Sequence, residues 1–381
     1  MEHTAVIFGA GRTGRGLAAA MCANSAVPFV LVDRDAVLIE ALSQAGEYSL
    51  TVLGGGTARL RPLQMSTVDS TEWHGAFLKA TVCFTAVVGT NFPSLAGSLA
   101  KALLARHEAG VTTPLNIITC ENLNNAAKAL RDAVSPALPS DVRATILSRT
   151  GFIEGMVLTT CLGPADAKHD RLEVRAQNAF RLPCDRDAFV GDVPPIKGLE
   201  PLAEFSNQLA RKIFTYNGIN AVISYLGAEF GHTDLAPAAR DPRIAPLALQ
   251  AGDEAGAGLI AEYGFDAAEQ ERWRDAAIGK FQDESIPDPI SRNAADPARK
   301  LARDDRLIGP ALLALKAGRE PVALARGIVS AMRFRDEGKS TLLERHGSLE
   351  SVLTNVCKLT HDEPLFKLVV RVAADVRSQP T

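Results

Sequence analysis

Apolar and polar positions follow one pattern in the first half of the chain and another in the second. In the first half, short apolar runs predict β-strands, and longer stretches of helical character separate them. The predicted strands are 5–8, 29–32, 82–89 and 115–119, and the predicted helices are 17–21, 36–45 and 92–109. Two further runs, 48–53 and 58–63, flank Gly54-Gly55-Gly56 and predict an antiparallel hairpin inserted into this alternation.

The second half is predicted to be helical almost throughout. Prolines and glycines interrupt the pattern between about 184 and 201, which predicts a domain boundary near residue 192. The helices predicted beyond it are 202–226, 244–263, 267–280, 297–301, 310–317, 321–333 and 348–354. We therefore expect one α/β domain over 1–192 and an all-helical domain over 193–381.

The first predicted strand leads into a glycine-rich turn. It is followed by Gly9-Ala10-Gly11-Arg12-Thr13-Gly14, the pattern G-x-G-x-x-G between a strand and a helix. Gly9 permits the tight turn, Gly11 lets the backbone approach a pyrophosphate, and Gly14 lets helix and strand pack closely. The free N–H groups and positive dipole end of the helix face the anion. The motif predicts a Rossmann-type dinucleotide-binding domain, with all six residues of the turn as cofactor contacts.

The second strand ends at a carboxylate that bears on the choice of cofactor. Asp33 lies 24 residues after Gly9. A carboxylate there accepts hydrogen bonds from an adenosine ribose diol and repels a 2′-phosphate, which favours NAD over NADP. Arg34 follows immediately and leaves an alternative open, because an arginine there can stack on adenine or bind a 2′-phosphate. We expect NAD as the cofactor.

The ends of two later strands supply further candidate residues. Thr85, Ala86 and Val87 are small or apolar residues at the end of one strand, where such residues commonly line the cofactor crevice. Glu121 and Asn122 follow the strand 115–119 and are predicted to contact cofactor, with Asn122 also reaching substrate. For this pair the alternative is a cap on the helix that follows.

Composition narrows the class of protein. The chain has 381 residues, with 46% hydrophobic and 22% charged residues and a net charge of −3, so nucleic acid and anionic membrane are not expected partners. No run approaches the roughly 18 to 20 apolar residues of a spanning helix, and the start Met1-Glu2 does not resemble a signal peptide. The six cysteines and seven histidines are scattered without metal-ligand spacing. We expect a cytoplasmic protein with free thiols and no metal.

A segment early in the helical half combines a lysine with two asparagines. It is Arg211-Lys212-Ile213-Phe214-Thr215-Tyr216-Asn217-Gly218-Ile219-Asn220. At about 100° per residue, Asn217 lies about 140° around a helix from Lys212, and Asn220 falls between them near 80°. An amine beside two carboxamides in an apolar segment can take a proton from a hydroxyl and polarise the carbonyl that forms. The alternative is a solvated lysine and two asparagines on a helix surface.

These motifs together resemble the polyol-specific long-chain dehydrogenases, the mannitol dehydrogenase family. The resemblance covers nearly the whole chain and rests on the glycine turn, segment 114–122, the lysine segment 211–217, Tyr225-Leu226-Gly227 with Gly231-His232, segment 263–266, and 299–301 with 305–308. The family's catalytic signature is K-x4-N-x2-H on a helix. The resemblance implies that Lys212 is the general base and that Asn217 holds the substrate oxygen. Asn220 stands at the histidine position, where it can still donate through its NH2 but cannot titrate near neutrality.

A basic group follows near residue 300. It comprises Arg292, Arg299, Lys300, Arg303 and Arg306. The resemblance implies that residues here contact substrate, and Arg292, Arg299 and Lys300 join Asn122, Lys212 and Asn217 as the expected substrate-binding set. A sugar phosphate favours such donors, but interleaved aspartates leave a solvated, salt-bridged face as the alternative.

The resemblance implies an NAD-dependent oxidoreductase that interconverts a polyol, or its phosphate, and the corresponding keto sugar. The expected pair is D-mannitol 1-phosphate and D-fructose 6-phosphate. Asn220 leaves open a related enzyme acting on an unphosphorylated polyol, a hexuronate-type substrate or a conjugate. A catalytically silent NAD-binding paralogue is a further alternative. We expect a monomer or small homo-oligomer.

Overall fold

The chain folds as two compact units. The structure is a computed structural model that describes residues 4–121, 123, 125–166, 168, 170–336 and 338–378. The units are Met1–Phe205 and Ser206–Thr381. This division falls later than residue 192 because the strand Leu199–Leu202 pairs in parallel with Leu182–Asp185 and so belongs to the first unit.

The first unit alternates strands and helices over most of its length. Its strands are β1 (Thr4–Phe8), β2 (Phe29–Asp33), β3 (Tyr48–Leu53), β4 (Thr57–Leu60), β5 (Gln64–Thr67), β6 (Ala80–Thr85), β7 (Leu115–Thr119), β8 (Thr150–Glu154), β9 (Cys161–Leu162), β10 (Val174–Gln177), β11 (Leu182–Asp185) and β12 (Leu199–Leu202). Its helices are α1 (Ala19–Asn24), α2 (Ala36–Ala45), α3 (His74–Lys79), α4 (Phe92–Glu108), α5 (Ala126–Val134) and α6 (Arg143–Leu147). A π-helical turn, Gly14–Ala18, leads into α1, and short 3₁₀ turns lie at Gly89–Asn91, Ser135–Ala137 and Arg186–Ala188.

The main sheet has the Rossmann strand order. Among the described residues its order is β5-β2-β1-β6-β7-β8, with every neighbouring pair parallel. Counted along the chain within this sheet, that order is 3-2-1-4-5-6. The predicted α/β dinucleotide-binding class is therefore confirmed. One predicted strand, 82–89, was too long: β6 ends at Thr85, and the backbone then turns through Val88, whose φ is 67°.

The sheet is buried on both faces, as a doubly wound sheet requires. Along β1, Ala5 and Ile7 pack into the core on one face, whereas Val6 and Phe8 pack into the core on the other. This explains why the strand is a continuous apolar run rather than an alternating one.

The predicted hairpin is confirmed and belongs to a separate sheet. β3 and β4 pair in antiparallel fashion, and the sheet continues through β10 and β9 in the order β4-β3-β10-β9. β3 and β10 are parallel neighbours although they are far apart in the chain.

The second unit is helical in its described part. Its helices are α7 (Phe205–Lys212), α8 (Gly218–Glu229), α9 (Leu235–Arg240), α10 (Ala245–Tyr263), α11 (Ala267–Phe281), α12 (Ile290–Ala294), α13 (Pro297–Lys300), α14 (Ile308–Lys316), α15 (Val322–Arg333), α16 (Leu342–His346), α17 (Leu349–Asn355) and α18 (Pro364–Ser378). One core joins buried side chains of α8, α10, α14, α15 and α18. The all-helical class expected for the C-terminal domain is confirmed.

Two predictions about these helices were wrong. The helix predicted over 202–226 begins at Phe205, and a π-helical turn, Ile213–Asn217, interrupts it before α8. Helices α9, α12, α16 and α18 were not predicted, because three of them are a single turn or two and α18 is rich in valine, which favours strand. Tertiary packing decides α18: Leu365 and Val369 enter the common core. No helix in the described part of the chain is long and apolar enough to cross a membrane.

Candidate active site

The glycine turn of the first unit has the geometry that the motif predicts. Gly9 has φ of 100°, and a Cβ on it would overlap the carbonyl oxygen of Ala86. A Cβ on Gly14 would overlap the carbonyl oxygen of Gly9. A Cβ on Gly11, in contrast, would meet nothing within 4 Å. Two glycines therefore serve the protein's own packing, and the third faces open space where a phosphate group fits.

The helix that follows begins within this turn. Residues 12–24 are helical, with Arg12 exposed and Thr13 half-buried in the first turn. Ala10 is buried, and its N–H donates to Oδ2 of Asp33 over 2.6 Å. Oδ1 of Asp33 accepts from the N–H of Asp35 over 2.9 Å. The carboxylate is thus fixed against the glycine turn, at the carboxyl edge of the sheet, where it can still accept from a ribose diol.

The loop after β6 is tied down on two sides. The Glu121 carboxylate is 9% exposed and accepts from the N–H of Val87 over 2.8 Å. Its burial outweighs this hydrogen bond and raises the pKa of Glu121 to about 7. Asn91 donates from Nδ2 to the carbonyl of Val87 over 2.6 Å and accepts from Nη1 of Arg34 over 2.9 Å.

Glu121 therefore holds the cofactor-side loop rather than the helix that follows it. The helix-cap alternative is wrong for this residue, since the first N–H groups of α5, from Ala126 and Ala127, donate to Glu154 of β8 over 2.9 and 2.7 Å. Thr85 is fully buried at the end of β6, next to Ala86 and Val87. Asn122 lies outside the described residues.

In the second unit, the lysine segment contains the π-helical turn Ile213–Asn217. In such a turn, hydrogen bonds join residues five apart, so residues at this spacing lie about one turn from each other. Lys212 and Asn217 are five apart, and the angle of about 140° predicted for a regular α-helix is therefore wrong here. The wide turn therefore places the backbone positions of Lys212 and Asn217 about one turn apart. Such turns occur frequently at functional sites.

Contacts to α11 hold this turn in place. Arg211 is 1% exposed and stacks between the rings of Phe265 and Trp273, at 4.6 and 4.5 Å from their centroids. Gln270 accepts from Nε of Arg211 and donates to Oγ1 of Thr215, both over 2.8 Å. These residues were not predicted as part of the site, and only the tertiary structure brings them together.

Lys212 itself is 8% exposed. Burial, followed by the charges of Arg306 and Lys280, lowers the pKa of its amine from 10.5 to about 8. The sequence indicated desolvation by Ile213 and Phe214, and both are buried. The cationic neighbours come from elsewhere in the second unit. An amine with this pKa can act as a general base near neutral pH.

Asn217 and Asn220 are both half-buried. Asn220 donates from Nδ2 to Oδ1 of Asn293 over 3.2 Å, and the hydroxyl of Ser224 donates to the Asn220 backbone carbonyl over 2.7 Å while lying 3.4 Å from its Oδ1. Asn293 in turn donates to Asp288 and to the carbonyl of Pro289. The Asn220 amide is therefore oriented mainly through its nitrogen, whose second N–H can donate to a substrate oxygen.

The basic group divides into buried and exposed members. Lys300 is 5% exposed, donates to the carbonyl of Asn293, and lies 5.8 Å from the ring centroid of Tyr225. Its burial, with Arg306 and Arg299 nearby, lowers the pKa of Lys300 to about 7. The side chains of Arg292 and Arg299 are 57% and 53% exposed.

The two exposed arginines are paired with carboxylates. Arg292 binds Asp288 over 2.6 Å, and Arg299 lies 3.0 Å from Asp296 and 3.7 Å from Asp305. Arg303, the remaining member, is also paired, with Glu363. In this structure Arg292, Arg299 and Arg303 therefore form the salt-bridged surface that the interleaved aspartates left open as the alternative.

Arg306 and Tyr225 were not among the predicted site residues. The Arg306 side chain is 15% exposed, and its charge bears on Lys212, Lys300 and Tyr225 alike. The Tyr225 hydroxyl is buried and has no hydrogen-bond partner among the described residues. The closely spaced basic residues near residue 300 indicated the group as a whole. They did not show that Arg306 is the arginine whose side chain is largely buried while its neighbours are exposed.

Comparisons with known proteins agree with both units. Residues 3–198 match the mannitol dehydrogenase Rossmann domain, and residues 205–365 match the mannitol dehydrogenase C-terminal domain. A mannitol-1-phosphate 5-dehydrogenase of Bacillus licheniformis is 32% identical over 375 residues, which cover 96% of this chain and 98% of that protein.

Two solved structures share the fold. A substrate-free D-sorbitol dehydrogenase superposes with a TM-score of 0.80 at 18% identity, covering 98% of this chain and 93% of that one. The Pseudomonas fluorescens mannitol 2-dehydrogenase, in ternary complex with NAD and D-mannitol, gives a TM-score of 0.72 at 14% identity, covering 99% and 92% of the two chains. With both of its domain models matched and a curated relative aligned along almost its whole length, the chain belongs to the mannitol dehydrogenase family of polyol dehydrogenases.

Proposed function

We propose that this chain is an NAD-dependent dehydrogenase that interconverts D-mannitol 1-phosphate and D-fructose 6-phosphate, with Lys212 as the general base. The observation that carries the proposal is the buried Lys212 amine, whose pKa of about 8 suits proton abstraction. The substrate pair is supported by the 32% identity with the Bacillus licheniformis mannitol-1-phosphate 5-dehydrogenase.

The first unit fits a dinucleotide. The space at Gly11, the exposed start of the helix at Arg12 and the fixed carboxylate of Asp33 match a pyrophosphate and an adenosine ribose. A related structure also holds NAD, although its 14% identity supports the fold alone. When bound, NAD accepts the hydride from the carbinol carbon.

The second unit supplies the proton chemistry. Lys212 in its neutral form takes the proton from the substrate hydroxyl as the C–H bond breaks and the carbonyl forms. In the reverse direction, the Lys212 ammonium returns that proton to the oxygen. Both directions need an amine that changes protonation near neutrality, and burial beside Arg306 and Lys280 provides it.

Two amides are proposed to stabilise the oxygen as negative charge develops. The Asn217 amide shares the π turn with Lys212 and donates to the developing alkoxide, an interaction worth about 3–4 kcal/mol when the donor is well placed. Asn220 adds its second N–H, because Asn293 already accepts the first and orients the amide.

The buried cations support a phosphorylated substrate. Lys300 and Arg306 are the members of the basic group that are largely removed from water, so either gains more from an anionic partner than an exposed arginine does. The exposed Arg292 and Arg299 are proposed as outer contacts that exchange an aspartate partner for substrate.

A substrate screen tests the proposal. Purified protein is assayed by NADH absorbance with mannitol 1-phosphate, mannitol, sorbitol and sorbitol 6-phosphate side by side, and with the corresponding ketoses in reverse. We expect kcat/KM for mannitol 1-phosphate to exceed that for mannitol at least about tenfold, since loss of one charged contact costs about 1.5–3 kcal/mol. Lys212→Ala must abolish turnover, whereas Lys316→Ala, a control at an exposed lysine, must not. Equal kcat/KM for the two mannitol substrates would contradict the phosphate assignment.

One observation favours a second candidate. Every arginine of the basic group is paired with a carboxylate, which leaves fewer free guanidinium groups for a phosphate: Arg292, Arg299, Arg303 and Arg306. Together with Asn220 at the histidine position, this favours an unphosphorylated polyol or a hexuronate as the alternative substrate. Preference for free mannitol in the same screen, or reduction of fructuronate when it is added to the ketoses, would support it.

A further inference from the structure

A line of side-chain hydrogen bonds crosses the carboxyl edge of the main sheet. Nη1 of Arg34 donates to Oδ1 of Asn91 over 2.9 Å, and Nδ2 of Asn91 donates to the carbonyl of Val87 over 2.6 Å. The orientation of the Asn91 amide follows from its partners, because a guanidinium can only donate and a carbonyl can only accept. We call the Arg34–Asn91 contact the bridge.

The strand order shows what the bridge spans. Arg34 follows β2, and Asn91 lies in the loop after β6. β1 lies between these two strands, and all three are parallel. The glycine turn emerges from the same edge of β1, so the bridge passes across the exit of the strand that carries Gly9-Ala10-Gly11. That is the place where a Rossmann sheet receives the adenosine half of a dinucleotide.

Backbone strain in the loop also indicates a ligand. Val88 is a β-branched residue at φ of 67°, a conformation that costs free energy and persists only where its surroundings enforce it. Those surroundings are the bonds from Glu121 to the Val87 N–H and from Asn91 to the Val87 carbonyl. Val88 is 64% exposed and lies three residues before Asn91 in the same loop. An apolar side chain presented in this way suits the face of a purine.

We propose that the bridge is an adenosine latch, in which Asn91 holds the Arg34 guanidinium flat against the adenine ring of the bound dinucleotide. Guanidinium groups stack favourably on aromatic faces, and a group already held in place loses little freedom on binding. The latch also decides between the alternatives for Arg34, since a guanidinium held by Asn91 covers adenine and is withheld from a 2′-phosphate. This inference rests on the proposed use of NAD.

Binding of the two halves of the cofactor tests the latch. Affinities for NADH, ADP-ribose and reduced nicotinamide mononucleotide are measured by fluorescence titration and competition, without substrate. Arg34→Ala and Asn91→Ala should each weaken NADH and ADP-ribose about three- to tenfold and leave the mononucleotide unchanged. The double variant should bind NADH and ADP-ribose no more weakly than the single variant with the lower affinity, because the two substitutions remove the same interaction. Arg61→Ala, at an arginine that is 78% exposed in the same unit, is the matched control.

Asn91→Asp separates the latch from the loop. A carboxylate still accepts from Arg34 but cannot donate to the Val87 carbonyl, so this variant should bind ADP-ribose more tightly than Asn91→Ala does. If Asn91→Asp loses as much affinity for ADP-ribose as Asn91→Ala, the effect belongs to the loop and the latch is overturned. Unchanged ADP-ribose affinity in Asn91→Ala would also overturn it. So would losses in the double variant that equal the product of the two single losses. Failure of the wild-type protein to bind NADH would overturn the proposed cofactor instead.

Discussion

Replacing Lys212 by methionine should inactivate the protein and stabilise it at the same time. Methionine keeps an unbranched side chain of similar length but carries no charge. Removing a positioned general base lowers kcat about 10²- to 10⁴-fold. The stability effect has the opposite sign, because Lys212 is 8% exposed and its ammonium form is disfavoured by burial and by the cations Arg306 and Lys280.

The size of the gain follows from the pKa of Lys212. It falls from 10.5 to about 8 in the folded state, which corresponds to about 3 kcal/mol of destabilisation at pH values below the folded pKa. Between about 8 and 10.5 the unfolded chain binds more protons at this lysine than the folded chain does. The stability of the wild-type protein therefore rises with pH through that window, and the advantage of the variant shrinks.

Urea unfolding of both proteins at about pH 7 and about pH 10 measures this directly. We expect Lys212→Met to gain up to about 3 kcal/mol at the lower pH and distinctly less at the higher one. Lys316→Met is the control, because that lysine is 68% exposed and should give neither effect. A variant that is less stable than wild type at neutral pH, or one that keeps its activity, would refute the buried-base reasoning.

Four further outcomes are expected. The rate of substrate oxidation should rise with pH through about 8, and Arg306→Gln should move this midpoint upward in a pH–rate profile because it removes a cation that lowers the pKa of Lys212. The kcat/KM with NAD should exceed that with NADP at least about tenfold, and Asp33→Ala should reduce this ratio of the two kcat/KM values. Equal kcat/KM values for NAD and NADP in the wild-type protein would contradict the role of this carboxylate. Arg299→Ala should raise KM for mannitol 1-phosphate more than KM for mannitol in steady-state assays, and an equal rise would remove phosphate from its contacts. Asn220→His should raise kcat for mannitol 1-phosphate if asparagine is only a weaker oxyanion donor, whereas a loss of kcat would show that Asn220 shapes the pocket.

The residues of the expected dinucleotide site in the first unit could be predicted largely from local sequence. Gly9 and Gly14 are required by overlaps with neighbouring backbone atoms, and Asp33 by its position at the end of β2, so each has a signal within a few residues of itself. The roles of Glu121 and Asn91 could not be foreseen in this way. They depend on the pairing of β6 with β7 and on the reach of Arg34 across β1.

The second unit shows where periodicity fails. The sequence near Lys212 has helical character, and a regular helix was the natural prediction. Thr215 in the π turn accepts a hydrogen bond from Gln270 of α11, which lies 55 residues further along the chain. For the same reason Arg306 could not be separated from its exposed neighbours. Arg306 lowers the pKa of Lys212 through its charge, and the spacing of basic residues along the chain does not show which of them folds near Lys212.

The π turn also makes the length of this segment matter in a way that its composition does not. A five-residue hydrogen-bonded turn holds one residue more than an α-turn, so every side chain of α8 is offset from Lys212 by about 100° relative to an unbroken helix. Asn220, Ser224 and Tyr225 all inherit that offset. A regular α-helix through the same number of residues would rotate the whole face of α8 away from the amine, whereas deletion of one residue between 213 and 217 would let a regular helix form with Asn217 four residues from Lys212 and still about one turn away. The alignment of Lys212 with α8 is therefore fixed jointly by the number of residues between them and by the π turn that accommodates the extra one.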